Sequence, residues 1–218
     1  MKEENVSVAA PDTWMAGWEK IYSQMLEAPD EELSSIEVGH TILMLKHAMR
    51  ITETDPEKTS VLELASGSGD VACYLAKMGA QVEAIEALSN AVALTNRRAK
   101  LLGVADKVDA VLSDIDSWEI QNESYDIVIA LQCLQYLFER AIPRMRELIA
   151  AVKPGGFFVY SGNILPHFKT EPEIRFVTEH ELRSELQGWT FHSFGTDQAL
   201  IKPGDIRGYI WTVARKPK

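Results

Sequence analysis

Residues 63–69, with the sequence Glu-Leu-Ala-Ser-Gly-Ser-Gly, join an acidic side chain to a turn that contains two glycines. Glu63 lies within the apolar run 61–65, where an ionised carboxylate is costly to bury unless a cation compensates it. Gly67 and Gly69 let a ligand approach the backbone closely. The pattern indicates either a structural ion pair between Glu63 and a basic side chain or a site for a positively charged ligand.

Two classes of nucleotide cofactor could use this turn. Residues 67–72 satisfy a loose dinucleotide-binding pattern, and Glu86 stands 17 residues after Gly69, where an acid could bind a ribose. Glu63 would repel the pyrophosphate of a dinucleotide, whereas S-adenosylmethionine carries an α-ammonium and a sulfonium that an acidic site attracts. The charge of Glu63 therefore favours S-adenosylmethionine, and an NAD(P)-dependent oxidoreductase is the alternative.

The elements that must position these residues are read from the spacing of apolar side chains. Strands are predicted, in chain order, at 61–65, 81–86, 108–112, 126–131, 156–161, 189–194 and 206–213. Helices predicted at 71–78, 89–102 and 141–152 alternate with these strands, which predicts a parallel sheet with helices on both faces. The last two strands predict an antiparallel hairpin. The expected fold is an α/β three-layer sandwich with a mostly parallel seven-stranded sheet that ends in an antiparallel hairpin.

The chain is expected to divide into two parts of one structural unit. Residues 1–54 are predicted to be helical and to act as a lid or cap, with one helix beginning at Asp12 or Thr13 and a second running from Asp30 to the break at residues 54–56. Residues 55–218 are predicted to form the cofactor-binding domain.

The composition argues against several classes of partner. The 218 residues include 22 Lys plus Arg and 32 Asp plus Glu, and the net charge of −10 disfavours a nucleic-acid substrate. No apolar run approaches the ~20 residues of a membrane-spanning helix, so no membrane partner is expected. A polar, acidic N-terminus without a secretory signal predicts a cytoplasmic protein. The five histidines lack the neighbours of a metal site, and no metal is expected.

Residues 63–69, Glu86 and Asp114 together resemble the class I S-adenosylmethionine-dependent methyltransferases, over about residues 55 to 215. The resemblance implies a Rossmann-like methyltransferase fold, S-adenosylmethionine as cofactor and S-adenosylhomocysteine as product. It implies that Glu63, Ala65 and Gly67 contact the methionine end of the cofactor and that Glu86 with Ala87 contacts the ribose. It also implies that Asp114 and Ile115 border the adenine and that Leu131 and Gln132 border the methyl group. Ala65 stands where the family has its first glycine.

Two further segments resemble parts of this family. Trp18 and Tyr22 are similar to a Trp-x-x-x-Tyr segment that folds over the cofactor carboxylate in some small-molecule methyltransferases, which makes Tyr22 a candidate cofactor contact; the alternative is an aromatic stripe packed on the sheet. Residues 176–189 and 214–216 are most similar to the tellurite-resistance branch. A His-Arg segment of that branch has no counterpart here, and the net charge of −10 also argues against an oxyanion acceptor.

The resemblance implies methyl transfer by in-line displacement to a small-molecule acceptor, in which positioning supplies most of the catalysis. Tyr136 and His167 are the candidate catalytic residues, and with Gln132 they are expected to line an acceptor pocket beneath residues 14–26. His167 follows the predicted strand 156–161 and could act as a general base if the acceptor must lose a proton. The alanine at position 65 leaves a catalytically silent cofactor-binding module as another alternative. The sequence predicts neither the acceptor nor the oligomeric state.

Overall fold

The structure is a computed structural model that describes residues 12–167 and 174–218. Its seven strands form one sheet in the order β3-β2-β1-β4-β5-β7-β6. Strand β7 runs antiparallel to the other six strands, which are parallel to one another. The strands are β1 Ser60–Leu64, β2 Gln81–Glu86, β3 Val108–Leu112, β4 Tyr125–Leu131, β5 Val152–Ile164, β6 Thr190–Lys202 and β7 Asp205–Arg215. The predicted mostly parallel seven-stranded sheet with a terminal hairpin is confirmed.

Helices cover both faces of the sheet and give it three layers. They are α1 Asp12–Leu26, α2 Asp30–Leu33, α3 His40–Ile51, α4 Asp70–Met78, α5 Ser89–Leu101, α6 Ala141–Ala151 and α7 Glu179–Glu185, with short 3-10 helices at Pro56–Lys58 and Leu134–Arg140. One apolar cluster joins α3, α4 and part of α5 to the sheet, and a second cluster joins α6 and α7 to its other side. No helix in the described ranges is long and apolar enough to cross a membrane.

The prediction of one continuous second helix is wrong. Instead of one helix from Asp30 onward, the chain forms α2, leaves helical structure over residues 34–39 and begins α3 at His40. Ser34 and Ser35 compete with helical hydrogen bonding, and Ile36 and Val38 are β-branched, so this stretch has low helix propensity. Gly39, in an extended conformation, then forms the N-cap of α3.

The terminal hairpin is longer than its apolar pattern predicts. β6 pairs with β7 from Thr190 to Lys202, whereas β5 pairs with β7 only as far as Ile164, opposite Gly208. Residues 199–207 therefore extend past the paired end of β5 as a two-stranded ribbon. This ribbon lies at the edge of the sheet where the parallel strands have their carboxyl ends.

Candidate functional site

A cavity of about 800 Å³ opens at the carboxyl ends of β1 to β4. Among its lining residues are all ten predicted cofactor contacts, namely Tyr22, Glu63, Ala65, Gly67, Glu86, Ala87, Asp114, Ile115, Leu131 and Gln132. Parallel strands present the residues after their carboxyl ends at one edge, which is where open α/β sheets bind ligands. The fold therefore brings residues that are far apart in sequence to a single cavity.

The turn between β1 and α4 has an unusual backbone. Ala65, Gly67 and Gly69 have φ angles of 53°, 55° and 76°, in the left-handed region. Glycine adopts this region freely, whereas a residue with a Cβ atom pays roughly 1–2 kcal/mol. Ala65 therefore keeps the conformation that a glycine would have, at a cost in strain.

Glu63 on β1 is a buried carboxyl group with one unpaired oxygen. Its side chain is 4% exposed, and its Oε2 atom has no hydrogen-bond partner in the described part of the chain. Burial, together with the nearby carboxylates of Asp70 and Glu86, raises the pKa of Glu63 to about 8, and a hydrogen bond from the Ala72 amide acts in the opposite direction. No Lys or Arg of the described residues forms an ion pair with Glu63, so the structural ion pair considered from the sequence is absent there.

Glu86 at the end of β2 connects two loops that border the cavity. Its Oε2 accepts a hydrogen bond from the Gly67 amide at 2.9 Å, and its Oε1 accepts one from the Leu88 amide at 3.0 Å. A carboxylate offers about four acceptor positions, so both oxygens can still accept hydrogen bonds from a ligand diol. Glu86 can therefore hold the glycine turn and a ribose at the same time.

The loop after β3 is held in place by Arg144, a residue that sequence reasoning missed. The guanidinium of this α6 residue is buried and donates from Nε to the Ile115 carbonyl at 2.8 Å and from Nη2 to the Trp118 carbonyl at 2.7 Å. Asp114 in the same loop accepts a hydrogen bond from the Asp116 amide at 2.9 Å. The sequence feature that could have identified Arg144 is the presence of an arginine within the apolar pattern of residues 141–152.

Helix α1 places Met15, Trp18 and Tyr22 on the cavity. The Tyr22 and Trp18 rings stack with centroids 5.8 Å apart, and a Cβ atom added to Gly67 would lie 2.6 Å from the Tyr22 hydroxyl. Burial raises the pKa of Tyr22, and Glu86 adds to the shift. The Asn90 side chain donates to Ser23 Oγ at 2.7 Å, which ties α1 to α5. Helix α1 therefore covers the glycine turn.

The opposite wall of the cavity follows β4 and is largely apolar. It consists of Leu131, Gln132, Cys133, Tyr136, Leu137 and Phe138. Gln132 and Phe138 have φ angles of 55° and 48°, so two non-glycine residues on this wall are held in the left-handed region. Conformations of this kind persist where the surrounding structure imposes them, and they cluster at functional sites. The wall is therefore a second constrained part of the cavity.

His167 is not among the cavity-lining residues, in contrast to its predicted place in the acceptor pocket. Because β5 continues to Ile164, His167 lies past the sheet, and its ring packs edge-on against Phe176 with centroids 5.8 Å apart. The Asp205 carboxyl at the start of β7 also lies within electrostatic range of His167. The structure thus places His167 beside the hairpin, whereas Tyr136 does line the cavity.

The charged side chains that line the cavity are all acidic among the described residues. The described lining contains five acidic side chains and no Lys, Arg or His, and these acids are Glu63, Asp70, Glu86, Asp114 and Asp116. Buried Arg98 neutralises Asp70, and Arg140 pairs with Asp116 at 3.1 Å. Among the described residues, no group of three or more His, Cys, Asp or Glu is arranged to hold a metal ion. The unpaired Glu63 oxygen therefore fits the ammonium of S-adenosylmethionine, and the site opposes a polyanionic ligand.

Comparison with known proteins agrees with this geometry. The family model described as a methyltransferase domain matches residues 61–156. The ubiquinone biosynthesis O-methyltransferase of Rickettsia felis is 32% identical over 108 residues, which cover 49% of this chain and 42% of that protein. The ribosomal protein L11 methyltransferase of Desulfitobacterium hafniense is 31% identical over 143 residues, covering 64% of this chain and 43% of that protein. The chain thus spans less than half of the length of each relative.

Among solved structures, TehB from Haemophilus influenzae superposes with a TM-score of 0.65 at 22% identity, over 79% of this chain and 61% of that chain. This likeness confirms the Rossmann-like methyltransferase fold. The matched domain begins at β1 and ends at the start of β5, so it contains the glycine turn, Glu86 and the loop that Arg144 holds. Residues 61–156 therefore match a methyltransferase domain, and the sheet that contains them has the Rossmann-like methyltransferase fold.

Proposed function

We propose that the protein transfers the methyl group of S-adenosylmethionine to a small, uncharged and largely apolar acceptor. The observation that supports the proposal is the division of one cavity between an acidic end with the unpaired Glu63 oxygen and an apolar end beyond β4. The acidic end suits the cofactor. The apolar end suits the acceptor.

The cofactor end is assigned residue by residue. Glu63 would attract the α-ammonium, Glu86 would accept hydrogen bonds from the ribose hydroxyls, and Asp114 with Ile115 would border the adenine. When bound, the cofactor supplies a methyl group on a positively charged sulfur that becomes a neutral thioether. No protein nucleophile or acid for the leaving group is therefore required, and the protein contributes by binding and orienting its two ligands.

The acceptor end is assigned from the chemistry of its walls. Met15, Trp18, Leu137 and Phe138 are apolar, and the Gln132 amide and the Tyr136 hydroxyl line the same cavity. Pockets of this kind bind ligands through apolar contact and use a few polar groups for orientation. An acceptor with one polar reacting atom on an apolar body fits this arrangement. An anionic acceptor would find no basic side chain among the described residues that line the cavity.

The relatives point to both small and large acceptors. One is named for ubiquinone biosynthesis and the other for ribosomal protein L11. A small acceptor is favoured here because α1 covers part of the cavity, which restricts the access of a folded protein. The NAD(P)-dependent alternative is disfavoured by the acidic lining, which would repel a pyrophosphate.

Two measurements test the proposal. In calorimetric titrations we expect binding of S-adenosylmethionine and S-adenosylhomocysteine, and no binding of NADH or NADPH. In turnover assays that detect S-adenosylhomocysteine, we expect higher kcat/KM for neutral phenols, thiols and alcohols than for the same molecules carrying an added carboxylate. Binding of NADH without S-adenosylmethionine, or a preference for the carboxylated acceptors, would refute the proposal. Cofactor binding without turnover on any acceptor would instead support the silent module.

A further inference from the structure

Exposed apolar side chains are concentrated at one edge of the molecule. Ten large apolar residues are exposed among those that the structure describes, and seven of them lie on α1, at the end of β3 or around the hairpin. These seven are Trp18, Ile21, Leu112, Leu165, Leu200, Ile201 and Ile206. Two of them, Trp18 and Leu112, line the cavity itself. The edge that opens into the cavity therefore carries most of the large exposed apolar side chains that the structure describes.

Four of these residues form what we call the hairpin patch, defined as Leu165, Leu200, Ile201 and Ile206. Their exposed fractions range from 46% to 68%. Leu200 pairs with Ile206 across the ribbon that extends past β5. Leu165 abuts the base of this ribbon, because a Cβ atom added to Gly208 would lie 2.7 Å from the Leu165 carbonyl oxygen. The hairpin patch is thus one projecting surface.

The hairpin patch and the cavity lie at the same end of the sheet. Arg207 directly follows Ile206 of the hairpin patch, and its guanidinium donates to the Asp205 carboxylate at 2.7 Å. Tyr136, which lines the cavity, lies within electrostatic range of Arg207. The hairpin patch therefore stands near the cavity wall that follows β4.

The charge of the ribbon differs from that of the whole chain. The chain has a net charge of −10, whereas residues 199–207 contain Lys202, Arg207 and one acid, Asp205, which is buried and paired with Arg207 at 2.7 Å. The end of the ribbon therefore carries one uncompensated positive charge beside its apolar side chains. This combination suits an interface with lipid headgroups, where apolar side chains insert and basic side chains meet phosphate.

We propose that the hairpin patch docks the protein on the surface of a lipid bilayer, with the mouth of the cavity facing the bilayer. The proposal rests on the proposed function, because a bilayer is the occupant that both covers this edge and supplies an apolar acceptor. A protein partner or a second copy on the same edge would instead obstruct the cavity. Surface association differs from spanning, so it departs from the expected absence of a membrane partner without requiring a membrane-spanning helix.

Co-sedimentation with vesicles tests the docking surface. We expect the wild-type protein to bind phosphatidylcholine vesicles, whose zwitterionic headgroups offer phosphate to Lys202 without a net negative surface charge. The double variant Leu200→Glu/Ile201→Glu should bind at least about tenfold more weakly, since each Leu or Ile side chain contributes over a kcal/mol when fully buried. The matched control is Leu43→Glu/Ile51→Glu, which changes two exposed apolar residues of α3 and should bind like the wild type.

Further measurements separate this proposal from its alternatives. Thermal unfolding and S-adenosylhomocysteine binding should be the same for the hairpin variant and the wild type, because neither changed residue lines the cavity. Absence of vesicle binding by the wild type, or equal loss in the α3 control, would overturn the proposal. The proposal would also be overturned if the wild type formed a dimer, the hairpin variant were a monomer, and neither protein bound vesicles. If S-adenosylhomocysteine fails to bind the wild type, the proposed function fails independently of the vesicle result.

Discussion

The Glu86 carboxylate accepts a hydrogen bond from the Gly67 amide at 2.9 Å, so the residue that ends β2 fixes the turn that follows β1. The other oxygen of Glu86 accepts from the Leu88 amide at 3.0 Å. Two loops that border the cavity are therefore joined through one buried side chain. Because the same carboxylate is proposed to bind the ribose, a change at Glu86 acts on both the protein and its ligand.

The first prediction concerns the variant Glu86→Ala. It removes the proposed ribose acceptor and leaves the buried Gly67 and Leu88 amides without partners, at about 1–3 kcal/mol for each unpaired group. We expect at least a tenfold loss of S-adenosylhomocysteine affinity in calorimetry and a lower melting temperature. Glu83→Gln, near the opposite end of β2, is the control and should keep the cofactor affinity. Unchanged affinity in Glu86→Ala would contradict the ribose assignment.

The second prediction concerns the pH dependence of cofactor binding. The pKa of Glu63 is raised to about 8 in the free protein, so the carboxyl group is largely protonated at neutral pH. A bound ammonium favours the ionised form and lowers this pKa, which means that binding releases a proton. We expect affinity to rise by up to about tenfold per pH unit below the pKa and to level off above it. Calorimetry in buffers of different ionisation enthalpy measures the proton release.

The variant Glu63→Gln provides the control for this pH dependence and a test of stability. A carboxyl group whose folded-state pKa is raised binds more protons when folded, so its contribution to stability falls as pH rises between its ordinary pKa of 4.5 and about 8. We expect Glu63→Gln to lose the pH dependence of binding and to melt at a higher temperature than the wild type above pH 8. Persistence of the same pH dependence in the variant would assign it to another group.

The sequence identified the central strands and the cofactor side of the cavity well, for a physical reason. The strands β1, β2 and β4 are largely buried and β3 is an edge strand, and the limits of all four differ from the prediction by one residue at most. Residues directly after such strands must meet at one edge. This explains why Glu63, Glu86 and Asp114 could be placed together before any contact was known.

Other features depended on contacts that a sequence pattern does not carry. The extended hairpin is held by backbone pairing of β6 and β7, whose exposed ribbon has no buried face to produce a regular alternation. The position of His167 followed from the unpredicted length of β5. Arg144 also pairs with Glu147 on its own helix, but its two carbonyl partners lie 26 and 29 residues away, and a sequence pattern does not show where backbone carbonyls lie.

The third prediction concerns Ala65 and whether it silences the site. The variant Ala65→Gly relieves the left-handed strain but adds backbone entropy in the unfolded chain, so its stability should lie within about 1 kcal/mol of the wild type. Its S-adenosylhomocysteine affinity should change by less than about threefold, because the turn already has the glycine conformation. A large gain in affinity or the appearance of turnover only in Ala65→Gly would support the silent module. Ala65→Val should be clearly destabilised, since β-branched residues oppose this conformation.

The last prediction concerns Arg144, which we regard as a positioning residue for the loop that borders the adenine. The variant Arg144→Met keeps much of the side-chain volume but removes the donors to the Ile115 and Trp118 carbonyls, so we expect a loss of about 2–4 kcal/mol in the free energy of unfolding. The matched control is Arg146→Met on the same helix, whose ion pair with Glu185 is made by an arginine side chain that is 64% exposed. Because the Arg146 side of this pair is exposed although Glu185 is only 16% exposed, the control should lose less free energy of unfolding than Arg144→Met.

Cofactor binding distinguishes positioning by Arg144 from a purely structural role. If the loop is displaced, Arg144→Met should bind S-adenosylhomocysteine more weakly than the wild type at temperatures where both proteins are fully folded. It should discriminate less between S-adenosylhomocysteine and an analogue lacking the adenine amino group, because the loop carrying Asp114 is no longer held. A variant that is less stable but retains the wild-type discrimination would show that the adenine site forms without Arg144. Urea unfolding and parallel calorimetric titrations of the two ligands give both quantities from the same preparations.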